Sequence, residues 1–468
     1  VDDDASAGGP PFGLLARSVQ CYLLLGARLF QQANRNALAP LLVFMSQDFE
    51  ITTAQKGTLL SAIAAGYFFT QVPGGALADR LGAKTVVTMA IGLSSMCCLM
   101  VPMCTDMFGV PGLWAVMAVM GAVQGPLFPT STVFLSRWMP KKTPGGADEK
   151  AWGTSMLDIG ISVGSLLIIP AANTLAGNFG WRKAYQVIGL ASLCFTALWH
   201  QLAAEDPSRC GFISAEERKF LEANVPKKPA AGKAAGEKSG ADGAGILGIP
   251  VHLALHPGLW AIFSAHICFN YGAYYLTNWS PTYYAEVLMV DPADAKYHLM
   301  LPHVANLATK SLVPKLVTVI DRKGLTLLAS RRIFTVAGFL FAAAALSPVN
   351  QLAAQGFSPW VATALFSVAN ACFGLAPAGF KSNYLDVTER YVGVVSGYGN
   401  TLGTMASWVG PQLVAFLLAQ FASWDVVLGS VACCNVVAAL VYLRYATVTP
   451  IEATKASLVA TLPEAKVP

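Results

Sequence analysis

Charge is scarce in this chain. Asp, Glu, Lys and Arg make up 12% of its 468 residues, about half the ~25% of an ordinary soluble domain. The deficit points to surroundings that penalise charge. Paired cysteines are also missing. The ten cysteines contain no C-x-x-C; Cys97-Cys98 and Cys433-Cys434 are vicinal, and most others lie in apolar runs. Neither a zinc site nor a disulfide framework is indicated, and each thiol reads as a small apolar side chain. The phosphate-binding run G-x-x-x-x-G-K-[ST] is absent, which argues against ATP as a driving force, and so is H-E-x-x-H. No cofactor, metal or catalytic residue is expected, and the chain does not read as an enzyme. The net charge of +5 is spread over loops rather than gathered in one patch, so nucleic acid is not an expected partner.

Hydrophobic residues fill 54% of the chain. They fall into twelve segments: 19–45, 55–78, 85–105, 112–138, 152–176, 183–203, 258–287, 297–320, 327–348, 357–382, 391–419 and 424–445. Each is long enough to cross roughly 30 Å of hydrocarbon as a helix. Helices are the expected solution because lipid offers the backbone no hydrogen-bond partner. Lys and Arg concentrate on one set of alternating loops, which puts both termini on the cytoplasmic or equivalent side. The predicted organisation is a tail at 1–18, a six-helix bundle at 19–203, a linker at 204–256, a second six-helix bundle at 257–445 and a tail at 446–468. Within the linker, "EERKFLE" (216–222) reads as a short surface helix, and residues 225–245 are charged, low-complexity and rich in Gly and Ala. Val1-Asp2-Asp3-Asp4 is not a signal peptide; the missing initiator Met is expected either of a processed organelle protein or of a trimmed chain.

The halves echo each other. Asp79-Arg80-Leu81-Gly82 is followed by Asp321-Arg322-Lys323-Gly324 at an offset of 242, and Trp181 by Trp424 at 243. A duplicated six-span unit resembles the major facilitator superfamily, whose halves rock about a central site. "GGALADRLGAK" (74–84) resembles that superfamily's loop motif G-x-x-x-D-R-x-G-x-K/R. The resemblance assigns gating roles to Gly75, Asp79, Arg80, Gly82 and Lys84, with Asp321 and Arg322 in a degraded second copy. Gly75 allows close helix approach, Asp79 pairs across the seam, Arg80 and Lys84 hold the loop inside, and Gly82 permits the turn.

Further stretches narrow the resemblance: "RNALAP" (35–40), "GPLFPTSTVFLSRWMP" (125–140), "FGWRKAY" (179–185), "NYGAYYLTNWSPTYYAEVL" (270–288) and "SNYLDVTERYVGVVSGYGNTLG" (382–403). They are similar to the anion:cation symporter family, which includes vesicular glutamate transporters, the lysosomal sialic acid transporter and plastid phosphate and ascorbate transporters. The chain departs from that pattern at Met117, where a basic residue is common, at Gln124, where an acid often stands, and at Leu60 and Asn270, which replace a His and an Arg of the glutamate branch. The resemblance implies an all-α membrane protein with the major facilitator fold. It also implies secondary active transport of a small anion, phosphate before ascorbate or another carboxylate, with H+ or Na+ as coupling ion. A plastid membrane, envelope or thylakoid, is the expected location, with a plasma membrane or endomembrane as the alternative, and the expected state is a monomer. A carrier of a neutral solute and a non-transporting scaffold are the alternatives.

Charges inside the spans favour anions. Arg28 and Arg35 are seven residues apart, about two helical turns, and share one face. An arginine at the bilayer centre costs roughly 2.5–3.5 kcal/mol, so two on one face imply a polar cavity. Their planar forks suit phosphate or carboxylate oxygens. Arg28 alternatively snorkels to the inner surface. Asp158 is expected to be the main buried acid, pairing with an Arg or carrying the coupling proton. Lys310 is a further candidate cation, with His303 on its face. Asn270, Tyr271 and Tyr274 are candidate neutral ligands on the seventh span, and His266 shares the face of Asn270 and Tyr274. Gln124 completes the candidate substrate set, and Lys381 is expected to end its span facing the headgroups.

Overall fold

The computed structural model describes residues 14–139, 149–225, 251–388 and 392–451. Within these, the side chains of 71–76, 78–80, 149–152, 154–155, 251–252, 314, 318, 321, 385 and 392–394 lie outside the description. The described residues are helical, with no β-strand among them. They divide into two compact units, one on each side of residue 238.

In the first unit, helices α1 (Ala16–Asn36) and α2 (Leu38–Asp48) cover the first apolar segment. The break falls at Ala37, just before Pro40, which has no N–H to give to the turn behind it. Helix α3 spans Thr53–Leu81. Helix α4 (Ala83–Gln124) bends at Gly109, where φ is 61°, and α5 (Leu127–Trp138) continues its second leg. Helix α6 (Glu149–Leu202) bends at Gly180, where φ is 82°. Both angles lie in the region glycine enters freely. Each bend sits in a gap between two predicted segments, so one long helical run supplies two of them.

Lipid gives helices no hydrophobic reason to associate, and close packing of small residues does that work instead. A methyl group at Gly160 would come within 2.5 Å of the Leu25 carbonyl and 3.1 Å of Arg28 Cβ. Gly164, one turn on, meets Leu29 in the same way. Helix α6 therefore lies against α1 along the turn that carries Arg28.

Both ends of this unit are clamped by polar contacts. Helix α7 (Ala215–Asn224) occupies the predicted surface-helix stretch and is capped by Ser214. Its Glu217, 5% exposed, turns its carboxylate to α1. That carboxylate accepts from the backbone N–H of Ala16 at 2.8 Å and of Arg17 at 3.1 Å. Helix α1 has no side-chain cap from its own N-cap residue Leu15, so Glu217 satisfies two of its orphan donors. At the other end, Arg182 reaches Asp48 and Asp106, each at 2.8 Å, and Trp181 Nε1 donates to Asp48 at 2.8 Å.

The hydrogen bonds from Trp181 and Arg182 hold the Asp48 carboxyl below the ordinary carboxylate range. A group depressed on folding stabilises above its unfolded pKa and loses that contribution as pH falls through the folded value. The pair is nearly half exposed, so the effect is at most about 1 kcal/mol. Asp48→Asn should therefore lower the melting temperature of detergent-purified protein slightly at pH 7, and the gap to the unaltered chain should close below pH ~4. A gap that widens in acid would show that Asp48 contributes otherwise.

The second unit contains α8 (Val251–Ala254), α9 (Pro257–Asn278), α10 (Ser280–Glu286), α11 (Lys296–Arg322), α12 (Leu327–Leu346), α13 (Val349–Ala354), α14 (Pro359–Phe373), α15 (Phe380–Asp386), α16 (Val392–Phe421) and α17 (Trp424–Tyr445). Its packing at one end is aromatic. Tyr283 lies against Phe366 and Trp424, and His298 stacks on Tyr284. Thr363 joins these groups, with its Oγ1 2.7 Å from Tyr284 Oη and 2.6 Å from His298 Nδ1.

Among the described residues, five helical stretches are long and apolar enough to cross a membrane: Ala83–Trp138, Met156–Leu202, Leu327–Ala354, Val395–Phe421 and Trp424–Tyr445. Helix α1 is not one of them, because Arg28, Gln31, Gln32, Asn34, Arg35 and Asn36 interrupt its apolar surface.

Candidate functional site

Helix α1 sorts its polar side chains by face. Asn34 Nδ2 donates to Ser94 at 3.2 Å and Ser192 at 3.0 Å. Asn36 donates to Ser165 at 3.0 Å. These amides fasten α1 to α4 and α6. Arg28, Gln31 and Arg35 form a second group.

Arg28 lies twelve residues into α1, about 18 Å along the axis. It is 5% exposed, so it does not reach for the inner surface. Its Nη1 donates to Gln31 Oε1 at 2.5 Å, and its Cζ stands 5.9 Å from the centroid of Phe128. Its Nε is buried with no hydrogen-bond partner, and among the described residues Arg28 forms no ion pair. A buried guanidinium N–H left without an acceptor is expensive, and an anion oxygen would satisfy it.

Arg35, half-buried, places its Cζ 5.5 Å from the Tyr67 ring centroid. Tyr67, Arg35 and Asp158 all lie within electrostatic reach of Arg28. Gln124 is fully buried; its Nε2 is 3.5 Å from the Gln31 carbonyl, and its Oε1 has no partner. The structure thus brings Arg28, Arg35 and Gln124 together with two residues that sequence reasoning missed, Tyr67 and Phe128. Only three-dimensional proximity marks those two; no pattern in α3 or α5 singles them out. Met117 and Leu60, where the resemblance directs attention to charge, are buried packing residues.

Asp158 differs from expectation. It is exposed rather than buried, because Gly160 is the α6 residue that faces α1 and a position two residues away points well off that face. Asp158 stays within electrostatic reach of Arg28, but it is not an enclosed acid. The run Gly160-Ile161-Ser162-Val163-Gly164 formally matches the nucleophile-elbow pattern G-x-S-x-G. Here it lies inside a helix with both glycines against α1, so it is a packing seam and not a strained strand-to-helix turn.

The turn after α3 is only partly visible. The side chains of Gly75, Asp79, Arg80 and Asp321 lie outside the described residues, and Arg322 is exposed. Gly82 has φ +88°, which allows the chain to turn from α3 into α4. A clamp that no sequence pattern marks adjoins this turn. Glu205, beyond α6, accepts from the backbone N–H of Ala83 at 2.8 Å and of Lys84 at 2.7 Å and forms an ion pair with Arg137. Trp138 Nε1 donates to the neighbouring Ala204 carbonyl at 3.0 Å. One carboxylate thus caps α4 and binds α5.

In the second unit, α9 carries Asn270 and Tyr274, both half-buried. His266 Nδ1 is 2.9 Å from Tyr384 Oη on α15. Gly403 of α16 seats against this face, where a methyl group would come within 2.5 Å of Asn270 Nδ2. Tyr271 differs from its expected role. It is buried, and its hydroxyl is 2.8 Å from Ser430 Oγ on α17, because it lies about 100° around the helix from Asn270. It packs α9 against α17 rather than joining Asn270 and Tyr274. Lys310 is half-buried and within electrostatic reach of His303. Among the described residues, no group of three or more His, Cys, Asp or Glu side chains could hold a metal ion.

A family model described as "Major Facilitator Superfamily" matches residues 24–411. The chloroplastic ascorbate transporter of Arabidopsis thaliana is 27% identical over 405 residues, covering 86% of this chain and 70% of that protein. The chloroplastic sodium-dependent phosphate transport protein 1 of the same plant is 26% identical over 410 residues, covering 87% and 75%. Human sialin is 24% identical over 417 residues, covering 87% and 79%. Among solved structures, the inward-open xylose transporter XylE from E. coli aligns with a TM-score of 0.68 at 14% identity, covering 94% of this chain and 99% of that one. At that identity the likeness speaks for the fold alone.

Proposed function

Because the chain belongs to the Major Facilitator Superfamily, and is therefore an integral membrane transporter rather than an enzyme, we propose that its cargo is a small anion. Inorganic phosphate is the first choice, and ascorbate or another carboxylate the second. The observation that carries this reading is the α1 pair: Arg28, buried with an unpartnered Nε, and Arg35, two turns on. Two cations on one face attract an anion, and the fork of each matches phosphate or carboxylate oxygens. Relatives named as transporters of ascorbate and of phosphate support the same class.

Transport proceeds by alternating access, coupled to H+ or Na+, in a monomer. Gln124, Asn270, Tyr274 and Lys310 supply further contacts; Asp158 is a coupling candidate within reach of Arg28. The segment from Gly75 to Lys84, with Asp321 and Arg322, acts as the inward gate. A plastid membrane is the proposed location, in keeping with the chloroplastic relatives.

The test is uptake into proteoliposomes under imposed pH or Na+ gradients, with radiolabelled phosphate competed by ascorbate, glutamate and neutral sugars. Saturable uptake that anions inhibit and sugars do not is the expected result. Uptake of sugar in preference to every anion would refute the reading, and absence of any uptake would favour a non-transporting scaffold.

A further inference from the structure

Lys381 is placed where a headgroup-facing lysine would not be. Its Nζ lies 4.5 Å from the centroid of the Phe269 ring, and its charge is within electrostatic reach of His266. Phe269 is twelve residues from Pro257, the first residue of α9, which is about 18 Å along the axis. A hydrocarbon core is about 30 Å thick, so the ammonium sits near mid-depth.

The surroundings are built rather than incidental. Tyr384, one turn after Lys381 on α15, holds His266 Nδ1 at 2.9 Å and so fixes α15 to α9. Phe380 packs its ring, tilted, against those of Phe269 and His266 at centroid distances of 5.5 Å. Asn270, next to Phe269, brings a neutral amide donor to the same turn. Lys381 is exposed. An ammonium at mid-depth is costly unless it serves a polar cavity or pathway.

We propose that Lys381 is the anion-binding cation of the second unit, contacting a phosphate or carboxylate oxygen of the transported anion during the cycle, with Asn270 as its neutral companion. This rests on the anion-transport reading above and adds a residue to it. A phosphate oxygen could also belong to a lipid headgroup, and the test separates the two sources.

The experiment measures phosphate and ascorbate uptake by Lys381→Met, Lys381→Gln and Lys381→Arg in phosphatidylcholine vesicles, with and without anionic lipid. Loss of a charge-assisted contact should raise KM about 10- to 100-fold in both neutral variants, whereas Lys381→Arg should stay within about threefold. The shift should be the same in both lipid compositions. Unaltered KM in the neutral variants overturns the proposal. So does a shift seen only with anionic lipid, which assigns Lys381 to headgroups, and so does equal loss in Lys381→Arg with a lowered melting temperature, which assigns it to packing. If the unaltered protein moves no anion, the functional reading falls first. If it does and Lys381 variants match it, this inference alone falls.

Discussion

Arg35→Ala should abolish measurable uptake of the anionic substrate while the protein still folds and reaches the bilayer. Arg35 lies over Tyr67 and shares its helix face with Arg28. Arg35 is half-buried, and losing a charge-assisted contact there costs about 2–3 kcal/mol, which is roughly 30- to 150-fold in kcat/KM. Folding should suffer little, because the contacts that fasten α1 to its neighbours come from Asn34, Asn36, Gly160 and Gly164. Arg35→Lys is the informative companion. It keeps the charge and loses the bidentate fork, so it should recover part of the uptake with a raised KM. Wild-type affinity in Arg35→Ala would refute the assignment, and loss of folded protein would show that Arg35 is a packing residue.

Glu205→Ala should give the largest loss of stability. The carboxylate accepts two backbone N–H groups at the start of α4 and pairs with Arg137. Its side chain is 14% exposed and that of Arg137 17%, so the charges are mostly out of water. Breaking such a pair leaves an uncompensated cation and two orphan donors, a cost of about 3–5 kcal/mol. The expected result is a melting temperature lowered by several degrees and reduced transport. Glu205→Gln, which retains the acceptor oxygen, should fall between. If Glu205→Ala melts like the unaltered protein, the clamp contributes nothing. Asp79→Asn in the same assays tests the proposed gate: it should slow transport without lowering stability, and unchanged rates would count against the gating role.

Local pattern revealed the helices and part of the site. The apolar segments were legible because lipid imposes length and hydrophobicity on each crossing. The bends at Gly109 and Gly180 fall in the polar gaps for the same reason. The Arg28–Arg35 pair was legible as a seven-residue spacing. What sequence could not reveal depends on partners far along the chain. Arg137 and Glu205 are separated by 68 positions, Ala16 and Glu217 by 201, and nothing local marks either acid. Tyr67 and Phe128 became relevant only because their rings lie beside Arg35 and Arg28. Asp158 and Tyr271 show the opposite limit. Residue type suggested a polar role, but helix rotation, set by Gly160 in one case and Ser430 in the other, turned each elsewhere. Residues 374–379 form a turn between α14 and α15, so a simple count along one straight span does not locate Lys381.

Equilibrium binding of radiolabelled phosphate and ascorbate to detergent-purified protein tests the central claim most directly, because it bypasses gating and coupling. Saturable binding of at least one anion to the unaltered chain, lost in Arg28→Ala and Arg35→Ala alike, is the predicted result. Undiminished anion affinity in both variants would contradict it and would place the binding cations elsewhere.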